Sequence, residues 1–372
     1  MNAITRESVL VEADTSVDGD KTTPRRLKPR LRRTVAMVVL CALAGWLVFD
    51  KVGSLVKPAP SVGHWRSVEG AHAYAHAYAE VMRELPEPDV IVDVPTSYGS
   101  VRVLRWDGTE SGPPVVLLPG HSSGAPMWSE NLPHWIGART VYALDPVGDA
   151  GFSTQKVPLT SFDEQAEWIS QTVSALTAGP DEGRDRAPVQ SRDQGPAQGR
   201  VHVVGHSFGG ANAAVFALHN PEQVASLTVL EPAFVIEPLS ASAFFWATLT
   251  QLPVPQGWKD QAFAEIGGTT VAEVQKRTPM SVMIDAAAQN YSTAMPLPRT
   301  LTDDEWRSLT MPVRADIGGT KSLAGGEEAV ARLRALLPNA VVKFWPDATH
   351  SLPMEKADEL GSELLEFWRA HA

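Results

Sequence analysis

A serine lies in the segment GHSFGG, residues 205–210, where its neighbours would expose its hydroxyl to a bound substrate. The segment follows the apolar run VHVV and precedes NAAVFALHN, which is typical of a helix, so it marks a turn from a buried strand to a helix. In such a turn Gly205 and Gly209 let the two backbones approach closely, and Ser207 projects from the tip. The helix N-terminus favours negative charge that develops beside it. The pattern predicts that Ser207 is a nucleophile.

A serine nucleophile needs a general base that accepts its proton and that is held in one tautomer by an acid. His350, in PDATHSLPME at 346–355, follows the last apolar strand segment and precedes a C-terminal helical segment. His206 is a rival, but it lies inside the turn and is expected to point away from the serine side chain. The sequence therefore predicts His350 as the base.

The segment LLPGHSSGAPMW, residues 117–128, follows another apolar strand segment. In an enzyme that transfers acyl groups, such a loop donates one backbone N–H to the oxyanion, and the residue after the nucleophile donates the other. By register these two donors are His121 and Phe208, each through its backbone only. An ordinary glycine- and serine-rich turn is the alternative interpretation.

The elements that must position these residues alternate between strands and helices. Helices are predicted at 65–85, at 162–177 and after several of the strands. A hairpin is indicated by the two strand segments at 89–94 and 100–106. Strands are predicted at 89–94, 100–106, 113–120, 139–146, 201–207, 224–232, 312–319 and 340–348. Continuous apolar strands that alternate with helices predict an α/β fold with a mostly parallel sheet covered on both faces.

Two segments interrupt this alternation. Residues 178–200 have almost no apolar content, which predicts a flexible, solvated loop. Residues 235–305 carry several helical segments and are too long for a single crossover between two strands. We expect them to form an inserted helical lid on a domain that spans residues 65–372.

Four motifs together resemble the α/β-hydrolase superfamily, specifically its lid-bearing serine hydrolases. They are LPGHSS with a following tryptophan, ALDPVGDAGFS, GHSFGG and PDATHSLPME, and they occur in the family's order over about residues 90–371. This chain has Pro119-Gly120 where the oxyanion motif usually has His-Gly. Relatives with haloalkane dehalogenase or epoxide hydrolase activity carry aspartate at the elbow, so the resemblance with Ser207 implies acyl chemistry on esters.

This chain differs from the family's pattern at the acid of the catalytic triad, which consists of a serine, a histidine and an acid. In the family the acid commonly follows the strand that VRADIGG would form, in a loop of the form G-x-x-D, and here Lys321 occupies that position. Some members carry the acid one strand earlier, which in this chain is Glu231 in LTVLEPA. A carboxylate at the edge of a buried strand is costly without a partner, which favours Glu231. Asp316, inside its strand, and Asp347, close to the histidine in sequence, are the alternatives.

The N-terminal region combines a basic segment with an apolar one. Residues 21–33 contain seven basic and no acidic residues, and residues 34–49 are an uncharged apolar run. A bilayer span needs about 20 apolar residues, and about 17 can suffice. We therefore expect a cytoplasmic tail at 1–33, a membrane anchor or signal segment at 34–50 and a linker at 51–64. The flanking arginines predict that the catalytic domain lies outside the cytoplasm.

Cleavage of residues 34–50 as a signal peptide after Ala42–Ala44 is the main alternative to an anchor, and it would make the protein secreted. The anchor is favoured because the apolar run continues through Trp46 and Phe49. A lipoprotein attached through Cys41 is disfavoured, since Leu40 stands where a small residue would be needed.

Composition excludes several other classes of function. The net charge of −11 argues against a nucleic-acid partner, and a single cysteine rules out an intrachain disulfide and a cysteine-based metal cluster. His72, His76 and Glu80 share one face of a helix, but an ordinary exposed or packed helix face is favoured over a zinc site. The segment GGTKS lacks the glycine that a phosphate-binding loop needs directly before its lysine. No cofactor or metal is expected.

Together these features predict a serine hydrolase that acts on a small, moderately apolar ester or lactone. The same triad could instead hydrolyse amides or C–C bonds, transfer acyl groups or support cofactor-free peroxide chemistry. A non-catalytic binding protein is a further alternative, because Lys321 could mark decay of the triad.

Overall fold

A computed structural model describes residues 61–178, 199–238, 240–252 and 254–372 of the chain. The strands within these residues match each of the eight predicted strand segments, usually one to three residues shorter at their ends. They are β1 His64–Trp65, β2 Val90–Thr96, β3 Gly99–Trp106, β4 Val115–Leu118, β5 Val141–Leu144, β6 Thr154–Gln155, β7 Val201–His206, β8 Val224–Leu230, β9 Tyr291–Ser292, β10 Val313–Gly318 and β11 Val341–Trp345.

The central sheet has the strand order β11-β10-β8-β7-β4-β5-β3-β2, with the short β6 paired to β3. The six strands from β11 to β5 run parallel, and β2, β3 and β6 form the antiparallel end. Every residue of β4, β5, β7, β8 and β10 is buried, as expected for strands that are covered on both faces. The predicted α/β-hydrolase fold, with its mostly parallel sheet, is confirmed.

Helices pack on both faces of this sheet and supply its apolar cover. The α-helices of the described residues are α1 Val68–Met82, α2 Leu132–Trp135, α3 Gln165–Thr177, α4 Phe208–His219, α5 Ala241–Gln251, α6 Gln256–Gly267, α7 Val271–Val274, α8 Pro279–Asn290, α9 Asp303–Arg307, α10 Gly326–Leu336, α11 Leu352–Glu355 and α12 Ala357–Ala370. One face is lined by α3, α4 and α10, and the other by α2 and α12.

The register of the sheet brings several strand ends to one edge. His206 of β7 pairs with Leu230 of β8, and Leu230 pairs with Asp316 of β10. Leu118 of β4 lies beside Gly205 on the other side of β7. Because parallel strands end at the same edge, the residues that follow these strands are neighbours in space although they are far apart in sequence.

Helices α5, α6, α7 and α8 occupy the long segment between β8 and β10, where a helical insertion is predicted. Helix α8 packs against α1, with Met283 and Ala287 in one cluster with Tyr74 and Tyr78. A Cβ atom built on Gly70 of α1 would lie only 2.5 Å from Cβ of Asn290, so the two helices approach closely there. The segment before the sheet therefore packs against the insertion, a contact that no local sequence pattern indicates.

Several predictions fall partly or wholly outside the described residues. They are the basic tail at 1–33, the apolar segment at 34–50, most of the linker at 51–64 and nearly all of the loop at 178–200. None of the helices within the described ranges combines the length and apolarity that a membrane crossing requires.

Candidate active site

The turn at residues 205–210 has the strained geometry that its glycines predict. Ser207 has φ 54° and ψ −119°, a backbone conformation that residues other than glycine rarely adopt. A Cβ atom on Gly205 would lie 2.1 Å from the carbonyl oxygen of Gly209, and one on Gly209 would lie 2.0 Å from that of Leu118. Only glycine fits at both positions, and the tight turn lifts Ser207 to the carboxyl edge of the sheet, where its side chain is partly exposed.

Ser207 and His350 are in direct contact, with 2.8 Å between Oγ and Nε2. The Nδ1 atom of His350 lies 3.1 Å from Oε2 of Glu231. A proton on Nδ1 satisfies the carboxylate and leaves Nε2 free to accept the serine proton, so this tautomer fits both contacts. The structure thus brings Ser207, His350 and Glu231 into one hydrogen-bonded chain.

Glu231 follows β8 in a left-handed conformation with φ 46°, and its side chain is fully buried. Strain of this kind at a buried carboxylate is typical of a functional position. The residues around it are tied to the elbow, because the N–H of Ser207 donates to Leu230 O at 3.1 Å and the N–H of Ala233 donates to Ser207 O at 2.9 Å. These two bonds set the position of the carboxylate relative to the serine.

The loop after β10, where the family usually carries its acid, contacts Glu231 instead of replacing it. Oε1 accepts the N–H of Gly318 at 2.7 Å and the hydroxyl of Ser322 at 2.8 Å, and Oε2 accepts the N–H of Leu323 at 3.1 Å. Lys321 turns away, and its ammonium lies 3.1 Å from a carboxylate oxygen of Glu265 in α6. The acid loop therefore supplies hydrogen-bond donors to an acid on the neighbouring strand.

The two alternative acids are placed elsewhere. Asp316 is buried inside β10, where its carboxylate accepts two hydrogen bonds from Arg314, at 2.7 and 2.9 Å, and one from the Trp345 indole at 2.9 Å. Asp347 is exposed. Of the three carboxylates, only Glu231 contacts His350.

His206 has a role that its sequence position did not indicate. Its Nε2 atom lies 2.8 Å from the carbonyl oxygen of His350, to which it donates, so it holds the backbone of the histidine loop. Burial, with the neighbouring His350 as a further cause, lowers the pKa of His206 to about 3. The imidazole is therefore neutral at physiological pH, and it supports His350 without competing for the serine proton.

The loop that carries His121 passes directly beside the serine. A Cβ atom on Gly120 would lie 3.1 Å from Nδ1 of His206 and 3.4 Å from Cβ of Ser207, so the backbone of this loop packs closely against the elbow. The backbone N–H of His121 makes no hydrogen bond to any other described residue, and Phe208, as the first residue of α4, has no helical acceptor for its N–H. Within the part of the chain that the structure describes, neither of the two predicted donor N–H groups has a hydrogen-bond acceptor.

Two buried aspartates after β5 fasten this loop. Asp149 accepts the N–H of Ser122 at 2.7 Å and contacts Nδ1 of His121 at 3.0 Å, while Asp145 accepts the N–H of Ala125 at 2.7 Å. Burial opposes the charged imidazolium of His121, but Asp149 outweighs it and raises the pKa of that group. The motif ALDPVGDAGFS gave no role to these aspartates, although carboxylates at the end of a buried strand are a detectable signal.

The two histidines weighed as zinc ligands lie on the surface. His72 and His76 are exposed on α1, and Nε2 of His76 is 3.5 Å from a carboxylate oxygen of Glu80. The opposite face of α1 is buried through Tyr74 and Tyr78.

A mostly parallel sheet that presents a serine elbow, a histidine loop and a buried carboxylate at one edge defines the class of α/β-fold hydrolases. The model of the alpha/beta hydrolase family matches residues 115–362, and the chain belongs to this family.

The relatives it resembles include two proteins of Bacillus subtilis (strain 168). Uncharacterized carboxylesterase nap is 24% identical over 300 residues, which cover 80% of this chain and 92% of that protein. Carboxylesterase YbfK is 22% identical over 304 residues, which cover 81% of this chain and 95% of that protein. The crystal structure of naproxen esterase from Bacillus subtilis superposes with a TM-score of 0.66 at 22% identity, covering 81% of this chain and 99% of that one.

Proposed function

We propose that the protein is a serine hydrolase that cleaves carboxylic esters through an acyl-enzyme. The observation that carries this proposal is the hydrogen-bonded chain from Ser207 Oγ to His350 Nε2 at 2.8 Å and from His350 Nδ1 to Glu231 at 3.1 Å. Two of its relatives are named carboxylesterases, and they match over most of their length. The residue roles below follow from this geometry and from the known logic of acyl transfer.

In the first half-reaction, Ser207 Oγ attacks the ester carbonyl carbon while its proton passes to Nε2 of His350. The negative charge that forms on the carbonyl oxygen is bound by the N–H groups of His121 and Phe208. Glu231 accepts the Nδ1–H and stabilises the imidazolium. Nε2–H then protonates the alcohol oxygen, the C–O bond breaks, and an acyl group remains on Ser207.

In the second half-reaction, water takes the place of the alcohol. Nε2 of His350 accepts a proton from water as its oxygen attacks the acyl carbon, and the same proton is returned to Ser207 Oγ as the acyl bond breaks. The products are a carboxylic acid and the free enzyme. No step requires a cofactor.

Helices α5 to α8 act as a lid over this site, and the substrate enters between them and the sheet. The side of the insertion formed by α5 and the start of α6 favours an apolar ester or lactone, because residues 240–258 contain no charged residue. Phe245 and Trp258 are exposed there. The C-terminal end of α6 reaches the active site at Gly267. Its carbonyl oxygen lies 2.9 Å from the hydroxyl of Thr349 and 3.1 Å from that of Ser351, the two residues that flank His350 in the sequence.

Covalent labelling tests the nucleophile. A fluorophosphonate probe is expected to label the wild type and to leave Ser207→Ala unlabelled, since the probe captures only an activated serine. Ser351→Ala, which removes a neighbouring hydroxyl, serves as the control and should still be labelled. Absence of labelling that depends on Ser207 would exclude the enzyme and favour a binding protein.

Substrate profiling tests the reaction. Turnover of p-nitrophenyl esters of increasing chain length should be greatest for short to medium acyl chains and should vanish in Ser207→Ala. Labelling without turnover of any ester would favour amide hydrolysis, acyl transfer or another reaction on the same residues.

We further propose that residues 34–50 anchor the protein in a membrane with the hydrolase domain on the extracytoplasmic side. Support comes from the uncharged apolar run and the seven basic residues directly before it. The full chain should stay in the membrane fraction after an alkaline carbonate wash and should be released by detergent. A mature chain in the medium, with a mass that corresponds to cleavage near Ala44, would instead establish a signal peptide.

A further inference from the structure

The hydroxyl of Ser322 is the side-chain donor that the loop after β10 directs at the buried acid. It lies 2.8 Å from Oε1 of Glu231, whereas the other two donors from this part of the chain are backbone N–H groups. A backbone donor is present whatever the residue type. Ser322 is therefore the position in this loop where the choice of side chain decides how the carboxylate is held.

The direction of the Ser322 hydroxyl is determined by its other contacts. Its oxygen accepts the N–H of Ala324 at 3.1 Å and the N–H of Gly326, the first residue of α10, also at 3.1 Å. With both lone pairs engaged, the hydroxyl proton points to the remaining neighbour, which is Glu231. Donation to the hydroxyl oxygen also polarises the O–H bond, which strengthens its own hydrogen bond.

Glu231 needs such donors because, among the described residues, no lysine or arginine side chain contacts its buried carboxylate. Lys321, which precedes Ser322 in the sequence, pairs with Glu265, and Arg314 pairs with Asp316. Neutral donors must therefore stabilise the carboxylate. They must also orient it, since rotation of a carboxylate about its last torsion is soft.

We propose that Ser322 is a positioning residue, which holds the Glu231 carboxylate so that Oε2 faces Nδ1 of His350 throughout turnover. This inference rests on the proposed esterase function. Ser322 contacts the carboxylate oxygen that His350 does not use, so it acts through Glu231 and not on the substrate. Its removal loosens the acid when the imidazolium forms, and the effect is on kcat.

Three substitutions at this position test the proposal. Ser322→Ala is expected to lower kcat for p-nitrophenyl butyrate by about tenfold to a hundredfold, the range for a lost hydrogen bond to a charged group, with little change in KM. Ser322→Thr retains the hydroxyl and should restore kcat to within about threefold of the wild type. Ser322→Cys has a weaker donor of similar size and should lie between them.

Thr320→Ala is the matched control, because Thr320 lies in the same loop with an exposed side chain whose hydroxyl contacts Pro346 O at 3.3 Å. It should leave kcat within about twofold of the wild type, given the small effects of surface substitutions. The melting temperature of each variant separates loss of activity from loss of fold. If Ser322→Ala does not fold, the ranking of Thr above Cys decides the question.

Two failures can be told apart. A wild type that neither reacts with a fluorophosphonate nor hydrolyses esters would overturn the proposed function itself. A wild type that does both, with a folded Ser322→Ala variant that keeps kcat within about twofold, would overturn only the role of Ser322. Equal losses in Ser322→Ala and Ser322→Thr would also overturn it, because the hydroxyl would then be irrelevant.

Discussion

Replacement of Glu231 by glutamine is the sharpest test of the acid, because the carboxylate accepts four hydrogen bonds. Oε1 accepts from Gly318 and Ser322, and Oε2 accepts from Leu323 and His350, at distances of 2.7 to 3.1 Å. A glutamine amide has one oxygen and one NH2 group, so it cannot accept at both positions. Two orientations of the amide are therefore in competition.

In one orientation the amide oxygen stays with Gly318 and Ser322, and the NH2 group faces Leu323 and His350. The N–H of Leu323 then loses its acceptor. In the reverse orientation both the N–H of Gly318 and the hydroxyl of Ser322 lose theirs, and Ser322 already accepts two other hydrogen bonds. The first orientation is favoured by roughly one hydrogen bond, about 1 kcal/mol.

The favoured orientation makes His350 accept a hydrogen bond at Nδ1, which places its proton on Nε2. The imidazole can then no longer accept the proton of Ser207. We expect kcat to fall by about 10³- to 10⁴-fold, the size of effect that a wrong histidine tautomer produces in serine proteases. The loss in kcat/KM should be similar, since the interaction is needed only in the transition state.

The assay is the steady-state hydrolysis of p-nitrophenyl butyrate by wild type and Glu231→Gln, with melting temperatures measured alongside. Glu222→Gln, the same chemical change at an exposed position, is the control and should retain full activity. A folded Glu231→Gln variant with kcat within tenfold of the wild type would show that Glu231 is not the acid.

Three further outcomes follow from other parts of the structure. Adding Lys321→Asp to Glu231→Gln should not restore turnover, because the Lys321 side chain is directed at the inserted helix α6; recovery above a tenth of wild-type activity would contradict this. Burial raises the pKa of Asp145 from 3.8 to about 6, so the protein takes up a proton when it folds at a pH between these values. The stabilisation that results is present at low pH and is lost as the pH rises through 6. Chemical denaturation should therefore show that the free energy of unfolding of the wild type rises by roughly 1 kcal/mol relative to that of Asp145→Asn between pH 7.5 and pH 5. A difference between the two proteins that does not depend on pH would refute the raised pKa of Asp145. Gly209→Ala should abolish both soluble expression and probe labelling, because its Cβ would lie 2.0 Å from a backbone carbonyl oxygen of β4; a soluble variant with wild-type labelling would mean that the elbow can relax.

The loop after β10 lies where the family usually carries its acid, but in this chain it contributes hydrogen-bond donors. GGTKS has neither the acid of its family nor the geometry of a phosphate-binding loop. It supplies backbone and hydroxyl donors to Glu231, and its lysine contacts Glu265 of the inserted helices. That ion pair is partly exposed and is expected to contribute at most about 1 kcal/mol. The hydrogen bonds to the buried carboxylate matter more.

The sequence by itself determined the fold class, the positions of the longer strands along the chain and the serine elbow. These features are encoded locally: continuous apolar runs predict strands covered on both faces, and Gly205 and Gly209 are required by a turn that leaves no room for a Cβ atom. The short strands β1, β6 and β9 were missed, since two residues carry too little pattern to detect. Catalytic roles for Ser207, His350 and Glu231 stay predictions until they are tested by substitution.

The tertiary structure alone decided which groups surround these residues. Only the adjacency of β8, β10 and β11 shows that Glu231 faces His350, and that Ser322 rather than an acid completes the loop. Likewise, His206 supports the histidine loop through a contact 144 residues away in sequence. Hydrogen-bond partners and helix contacts of this kind depend on which strands and helices become neighbours, and no local periodicity records that choice.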